Sequence, residues 1–114
     1  MKAIQIMAQE KVEIVDVHVP ETQDSEVLVK IVTVATCPHW DISLYRGIDI
    51  LERPGHPVYP IPVGFPGHEM AGEVVAVGPG ANTFKVGDRV ATTRTAGTTK
   101  PGFYCEYINR PEDM

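Results

Sequence analysis

The sequence predicts a mainly β protein, an irregular and mostly antiparallel barrel with only short helical segments. Short runs rich in Val and Ile, spaced as half-buried or buried strands, recur along most of the chain. Glycine and proline turns separate them, as at Gly78-Pro79-Gly80 and Val86-Gly87-Asp88. Only around Asp41 to Tyr45 does the pattern permit a helix.

Taken in order, Lys2 to Met7 alternates around Ile4 and Ile6, and Val12 and Ile14 continue in a second run. The apolar phase then moves to Val15, Val17 and Val19, which predicts a bulge or bend near Val15. Val27 to Ala35 is almost continuously β-branched, the pattern of a strand buried on both faces. Gly72 to Val77, Asp88 to Thr93 and Phe103 to Ile108 complete the strands. Between Pro54 and Pro66 five prolines in thirteen residues exclude helix and central strand, because proline lacks a donor and fixes φ. That semi-extended loop delivers the chain to Pro66-Gly67-His68.

A chain of 114 residues has room for one domain, 1–114, with a modest core. The formal net charge of −5 argues against nucleic acid, whose phosphates attract Lys and Arg patches. No apolar run approaches the roughly 20 residues of a membrane span, and no secretory signal precedes the first strand. Two widely separated cysteines do not make a disulfide framework, so a reducing, cytoplasmic setting is expected. Cys105 reads as a small buried hydrophobe on a strand. His18 and His56 read as solvated, and Tyr45 and Arg46 as cover for the barrel surface.

The chemistry concentrates in one stretch, Gly64 to Gly78. A histidine directly after Pro66-Gly67 is held tightly, and neutral imidazole is the commonest protein metal ligand. The adjacent Glu69 is a candidate ligand, ligand partner or acid/base. The order Gly67, His68, Glu69, two residues, Gly72, five residues, Gly78 resembles the signature of the zinc-containing alcohol dehydrogenases, in the medium-chain dehydrogenase/reductase family. Glu26-Val27-Leu28-Val29-Lys30, Val86-Gly87-Asp88-Arg89-Val90 and Gly102-Phe103-Tyr104-Cys105-Glu106-Tyr107 resemble further motifs of that family in the same order. The resemblance names the barrel as GroES-like. It also implies that residues 1–114 are the front part of a longer enzyme, whose Rossmann domain is absent from this chain. No Gly-x-Gly-x-x-Gly occurs here, so NAD(P) would bind only through that absent domain.

The resemblance further implies a catalytic zinc, with Cys37 and His68 as ligands and Glu69 beside the metal or transiently ligating it. Asp41 would orient the His68 imidazole. Zinc needs about three protein ligands with a fourth position open, and the family's third ligand normally comes from residues after 114. The zinc would polarise a small alcohol or carbonyl substrate for hydride exchange with NAD(P). Two departures stand out. Three residues separate Cys37 from Asp41 where the family has two, and Trp40 occupies the place of a proton-passing hydroxyl. Indole only donates, so His39 becomes the candidate proton carrier, while Trp40 either packs or lines the substrate pocket. The segment from Thr92 to Pro101 contains none of the cysteines that form a structural zinc lobe in many relatives. Family members are commonly dimers or tetramers, so a homo-oligomer is an expectation as well. Two other readings are open: a stand-alone GroES-like binding or assembly module without enzymatic activity, and a zinc-free member similar to quinone reductases.

Overall fold

The computed structural model describes residues 1–50, 57–93 and 101–113. Strands dominate, and they form two sheets. Strands β1 (Lys2–Ala8) and β2 (Lys11–Asp16) make an antiparallel hairpin. Strands β3 (Glu26–Val34), β4 (Glu69–Val77), β5 (Arg89–Thr93) and β6 (Tyr107–Pro111) form an antiparallel sheet in the order β5-β4-β3-β6. Among the described residues one helix, α1 (Pro38–Tyr45), lies between β3 and β4. The expectation of a mainly β, mostly antiparallel fold with a short helical segment holds.

Several boundaries differ from the sequence reading. The β1–β2 register runs regularly from Lys2↔Asp16 to Ile6↔Val12, through Ala3↔Val15, so Val15 is not bulged. The irregularity falls between Ile6 and Ala8, beside a hairpin tip where Glu10 takes a φ of 59°. That tip is tied to the end of α1: the Glu10 N–H donates to the Tyr45 carbonyl at 2.8 Å, and the Gln9 amide donates to the Arg46 carbonyl at 3.0 Å. Contact with the helix thus overrides the local phase of the apolar residues.

Strand β3 is not buried on both faces. Val27 and Val29 are in the core, whereas Val32 is 74% exposed. The last strand also starts later than predicted, because residues 103–106 leave the sheet to bridge the hairpin. Ala3 and Cys105 pair as an isolated antiparallel bridge, and the Ile4 N–H donates to the Tyr104 carbonyl at 2.8 Å. The Ile31 N–H meanwhile donates to the Glu106 carbonyl at 2.9 Å, so this segment stitches the hairpin to the larger sheet. β6 lies at the sheet edge, where Pro111 forfeits no essential donor.

Helix α1 begins a turn earlier than the predicted Asp41 to Tyr45. Proline suits the first helical position because its missing N–H would be unpaired there anyway. The helix stops in a glycine-capped motif. Gly47 adopts φ +83°, its N–H donates to the Leu44 carbonyl at 3.2 Å, and the Ile48 N–H donates to the Ser43 carbonyl at 2.8 Å.

Two apolar clusters follow from this arrangement. Val27, Val29, Met70, Val74, Phe103 and Ile108 form the core of the larger sheet. Ile6, Leu44, Ile61 and Phe65 form a second cluster beneath α1, with Trp40, Ile50 and Tyr59 packed against it. Trp40 and Leu44 are four residues apart and therefore share a helix face. The proline-rich segment, where described, is an extended flank to β1: the Ile61 N–H donates to the Ile6 carbonyl and the Gly64 N–H to the Ile4 carbonyl, both at 2.9 Å. Pro54, His56 and residues 94–100 lie outside the described residues, and with them the predictions for solvated His56 and for most of the 92–101 segment.

Candidate metal centre

Two arms of the chain meet beside the second cluster. The first is the start of α1. Cys37 is the residue that caps it, in an extended conformation, and its own side chain makes no capping hydrogen bond. Asp41 instead holds the Cys37 backbone: the Cys37 N–H donates to Asp41 Oδ2 at 3.1 Å, while the Asp41 N–H donates to the Cys37 carbonyl at 2.9 Å. This reciprocal pairing needs one helical turn between the two residues, which accounts for the three-residue spacing from Cys37 to Asp41.

The second arm is the turn from Gly64 to Gly67. The Gly67 N–H closes it on the Gly64 carbonyl at 3.0 Å, and the Phe103 N–H donates to the Gly67 carbonyl at 2.9 Å. A side chain at Gly67 would come within 2.7 Å of the Tyr104 backbone nitrogen, so only glycine fits. His68 leaves this turn partly buried, with Nδ1 at 2.9 Å from the Pro66 carbonyl. A carbonyl can only accept, so Nδ1 carries the proton and a neutral ring presents its lone pair at Nε2. The orienting group for His68 is therefore the Pro66 carbonyl. The family resemblance implies that task for Asp41, whose Oδ2 instead accepts from the Cys37 N–H and the Tyr104 hydroxyl.

Trp40 bridges the arms. Its ring centroid lies 4.2 Å from that of His68, and it meets Phe65 edge-on at 5.9 Å. Of its two expected roles, packing is the one described. His39 is exposed on the first turn of α1. Glu69 opens β4 with its side chain exposed, lining a shallow cleft with Thr33, Ala35, Thr92 and Thr93. Among the described residues, no three His, Cys, Asp or Glu side chains gather as a metal-binding group, so Cys37, His68 and Glu69 do not form a three-donor cluster.

The donors nevertheless suit a zinc ion in kind. Cys37 is a free thiol, and a thiolate with an imidazole is a combination zinc favours. In the same corner Asp41 Oδ1 is buried without a hydrogen-bond partner. A buried carboxylate oxygen left without a donor is costly, and nearby positive charge offsets that cost.

Tyr104 is the residue that sequence reasoning missed. Its hydroxyl donates to Asp41 Oδ2 at 2.7 Å. Burial, followed by that bond, pushes its phenol well above the usual range. Nothing local marks it, since its partner is 63 residues away. Cys105 makes its hydrogen bonds elsewhere. Its thiol donates toward the Gly102 and Tyr107 carbonyls at 3.4 and 3.2 Å, and burial pushes it up to about 11. His18, Tyr45 and Arg46 are exposed, as expected.

Comparison with known proteins places these features in context. The model of the alcohol dehydrogenase GroES-like domain matches residues 23–114. L-threonine 3-dehydrogenase of Salmonella paratyphi B is 30% identical over an alignment of 134 residues, covering 97% of this chain and 38% of that protein. The structure of 2R,3R-butanediol dehydrogenase from Bacillus subtilis matches with a TM-score of 0.78 at 27% identity, over 99% of this chain and 39% of that one. The quinone oxidoreductase from Coxiella burnetii matches with a TM-score of 0.73 at 25% identity, over 99% and 35% respectively. The chain thus spans well under half the length of these relatives.

Proposed function

This chain belongs to the family of alcohol dehydrogenase GroES-like domains, and from that premise we propose that it is the N-terminal catalytic domain of a zinc-dependent, alcohol dehydrogenase-like oxidoreductase. The observation that carries the reading is the His68 ring: Nδ1 is held by the Pro66 carbonyl, which leaves the Nε2 lone pair for a metal, and the ring packs on Trp40 of the helix that Cys37 caps. Cys37 and His68 would hold the metal, with a third donor from Glu69 or from residues beyond 114. A bound zinc would supply Lewis-acid polarisation of an alcohol or carbonyl oxygen. The chain's own residues do the rest. Asp41 fixes the backbone at Cys37, Pro66 fixes the imidazole tautomer, and Trp40 covers one face of that ring. With Trp40 in place of a hydroxyl, exposed His39 is the proposed proton carrier between the site and water.

NAD(P), bound by a further domain, is the proposed hydride partner, and a small alcohol or carbonyl the substrate. The dehydrogenase names of the relatives support the alcohol or carbonyl substrate, and a homo-oligomer belongs to the same proposal. No described helix is long and apolar enough to cross a membrane. Two free cysteines suit a reducing compartment, so a cytoplasmic setting is proposed.

Titration with Co(II) under anaerobic conditions tests the metal assignment through the thiolate-to-metal absorption band. Cys37→Ser should abolish that band, and His68→Asn should weaken binding. A band that survives Cys37→Ser would sink the assignment. A second reading, a zinc-free quinone reductase-like member, draws on the similarity to the Coxiella burnetii protein and on the lack of a three-donor group among the described residues. It predicts no such band in the wild type.

A further inference from the structure

We propose that Tyr104 is a positioning residue that ties the arm carrying Cys37 to the arm carrying His68, an inference that rests on reading those two residues as metal donors. Its side chain and its backbone act on different arms. The hydroxyl donates to Asp41 Oδ2 at 2.7 Å, and the same oxygen accepts the Cys37 N–H at 3.1 Å. The Tyr104 N–H donates to the Gly64 carbonyl at 3.0 Å, and the preceding Phe103 N–H donates to the Gly67 carbonyl at 2.9 Å. Residues 103 and 104 thus carry both ends of the turn that presents His68. The Tyr104 carbonyl accepts from the Ile4 N–H at 2.8 Å, so the residue that joins the two arms is itself anchored to β1.

The chemistry of these bonds explains why a tyrosine does this. A hydroxyl donating to a carboxylate makes a short, charge-assisted hydrogen bond, stronger than one between neutral groups. Fixing Oδ2 also fixes the acceptor on which the Cys37 backbone depends. A metal site gains affinity when its ligands are held before the ion arrives, and such supporting contacts are where that order resides.

Tyr104→Phe removes the hydroxyl and leaves the ring, its packing and every backbone bond. Hydrogen exchange of the chain, read amide by amide, should show the Cys37 amide exchanging about tenfold faster, as expected when a charge-assisted hydrogen bond is lost beside it. Amides of β3 and β4 should be unchanged. Co(II) affinity should fall by about 10- to 100-fold, the usual consequence of losing a contact behind a ligand. Asp41→Asn gives a second variant: combined with Tyr104→Phe it should add little, because both act through one chain of contacts.

An unchanged Cys37 amide in Tyr104→Phe overturns the proposal. So does acceleration spread evenly over the protein, which would mean general loss of stability. The metal reading fails separately. If Cys37→Ser and His68→Asn leave Co(II) binding intact, Cys37 and His68 are not the donors, and the exchange result still decides whether Tyr104 holds the Cys37 arm.

Discussion

Gly67→Ala probes the turn behind His68 most directly. The added Cβ would lie 2.7 Å from the Tyr104 nitrogen, 3.0 Å from the Gly64 oxygen and 3.1 Å from the Phe103 nitrogen. All three are backbone atoms, so no side-chain rotation relieves the contact. They are also the atoms of three hydrogen bonds: Gly67 N–H to Gly64, Phe103 N–H to Gly67 and Tyr104 N–H to Gly64. At roughly 1 kcal/mol per net hydrogen bond, displacing the turn costs about 3 kcal/mol. That is a large share of the roughly 5–15 kcal/mol that holds a domain together. With a urea slope of about 1.5 kcal/mol per molar, the unfolding midpoint of the chain should drop by about 2 M. Gly87→Ala is the control. Gly87 has φ +94° with nothing within 4 Å of the added carbon, so only backbone strain of about 1–2 kcal/mol applies. If Gly67→Ala costs no more than Gly87→Ala, close approach to residues 103 and 104 is not what demands glycine at 67.

Three further outcomes follow from the site and its surroundings. Cys105, whose thiol burial raises from 9.0 to about 11, should be alkylated at pH 8 roughly a hundredfold more slowly than an unburied cysteine of ordinary pKa; equal rates measured by peptide mapping would refute the burial argument. The same shift sets a sign for stability. The neutral thiol is favoured in the folded chain, so its contribution is complete below pH 9 and is lost as pH rises toward about 11. Cys105→Ala should flatten that alkaline decline in thermal unfolding. Trp40 is the single tryptophan and its ring lies 4.2 Å from His68. Zinc addition should therefore change its emission, and His68→Asn should remove the response; an undiminished response in that variant would place the metal elsewhere.

Much of the fold was legible because strands and turns are written in local periodicity. The runs at β1, β3, β4 and β5 are visible in the sequence, and the motif from Gly67 to Gly78, with three further motifs in order, carries the resemblance to the family. Where the sequence reading slipped, a distant contact had overruled a local pattern. The helix tip, not the apolar phase at Val15, decides where the β1–β2 hairpin becomes irregular. The segment from Phe103 to Glu106 has strand composition, but it leaves the sheet to bridge β1 and β3.

The candidate site divides the same way. Residue types and order gave the thiol of Cys37, the imidazole of His68 and the carboxylates of Asp41 and Glu69. Only the tertiary structure decided that Pro66 holds the His68 ring, that Asp41 serves Cys37, and that Glu69 lies exposed at the start of β4. It alone brought Tyr104 to Asp41 across 63 residues. Local spacing specifies which groups a short segment can offer, because neighbours on a turn or helix are fixed by its geometry. Which hydrogen bond each group finally makes depends on what packing brings beside it, and for Asp41 that includes a tyrosine 63 residues further along the chain.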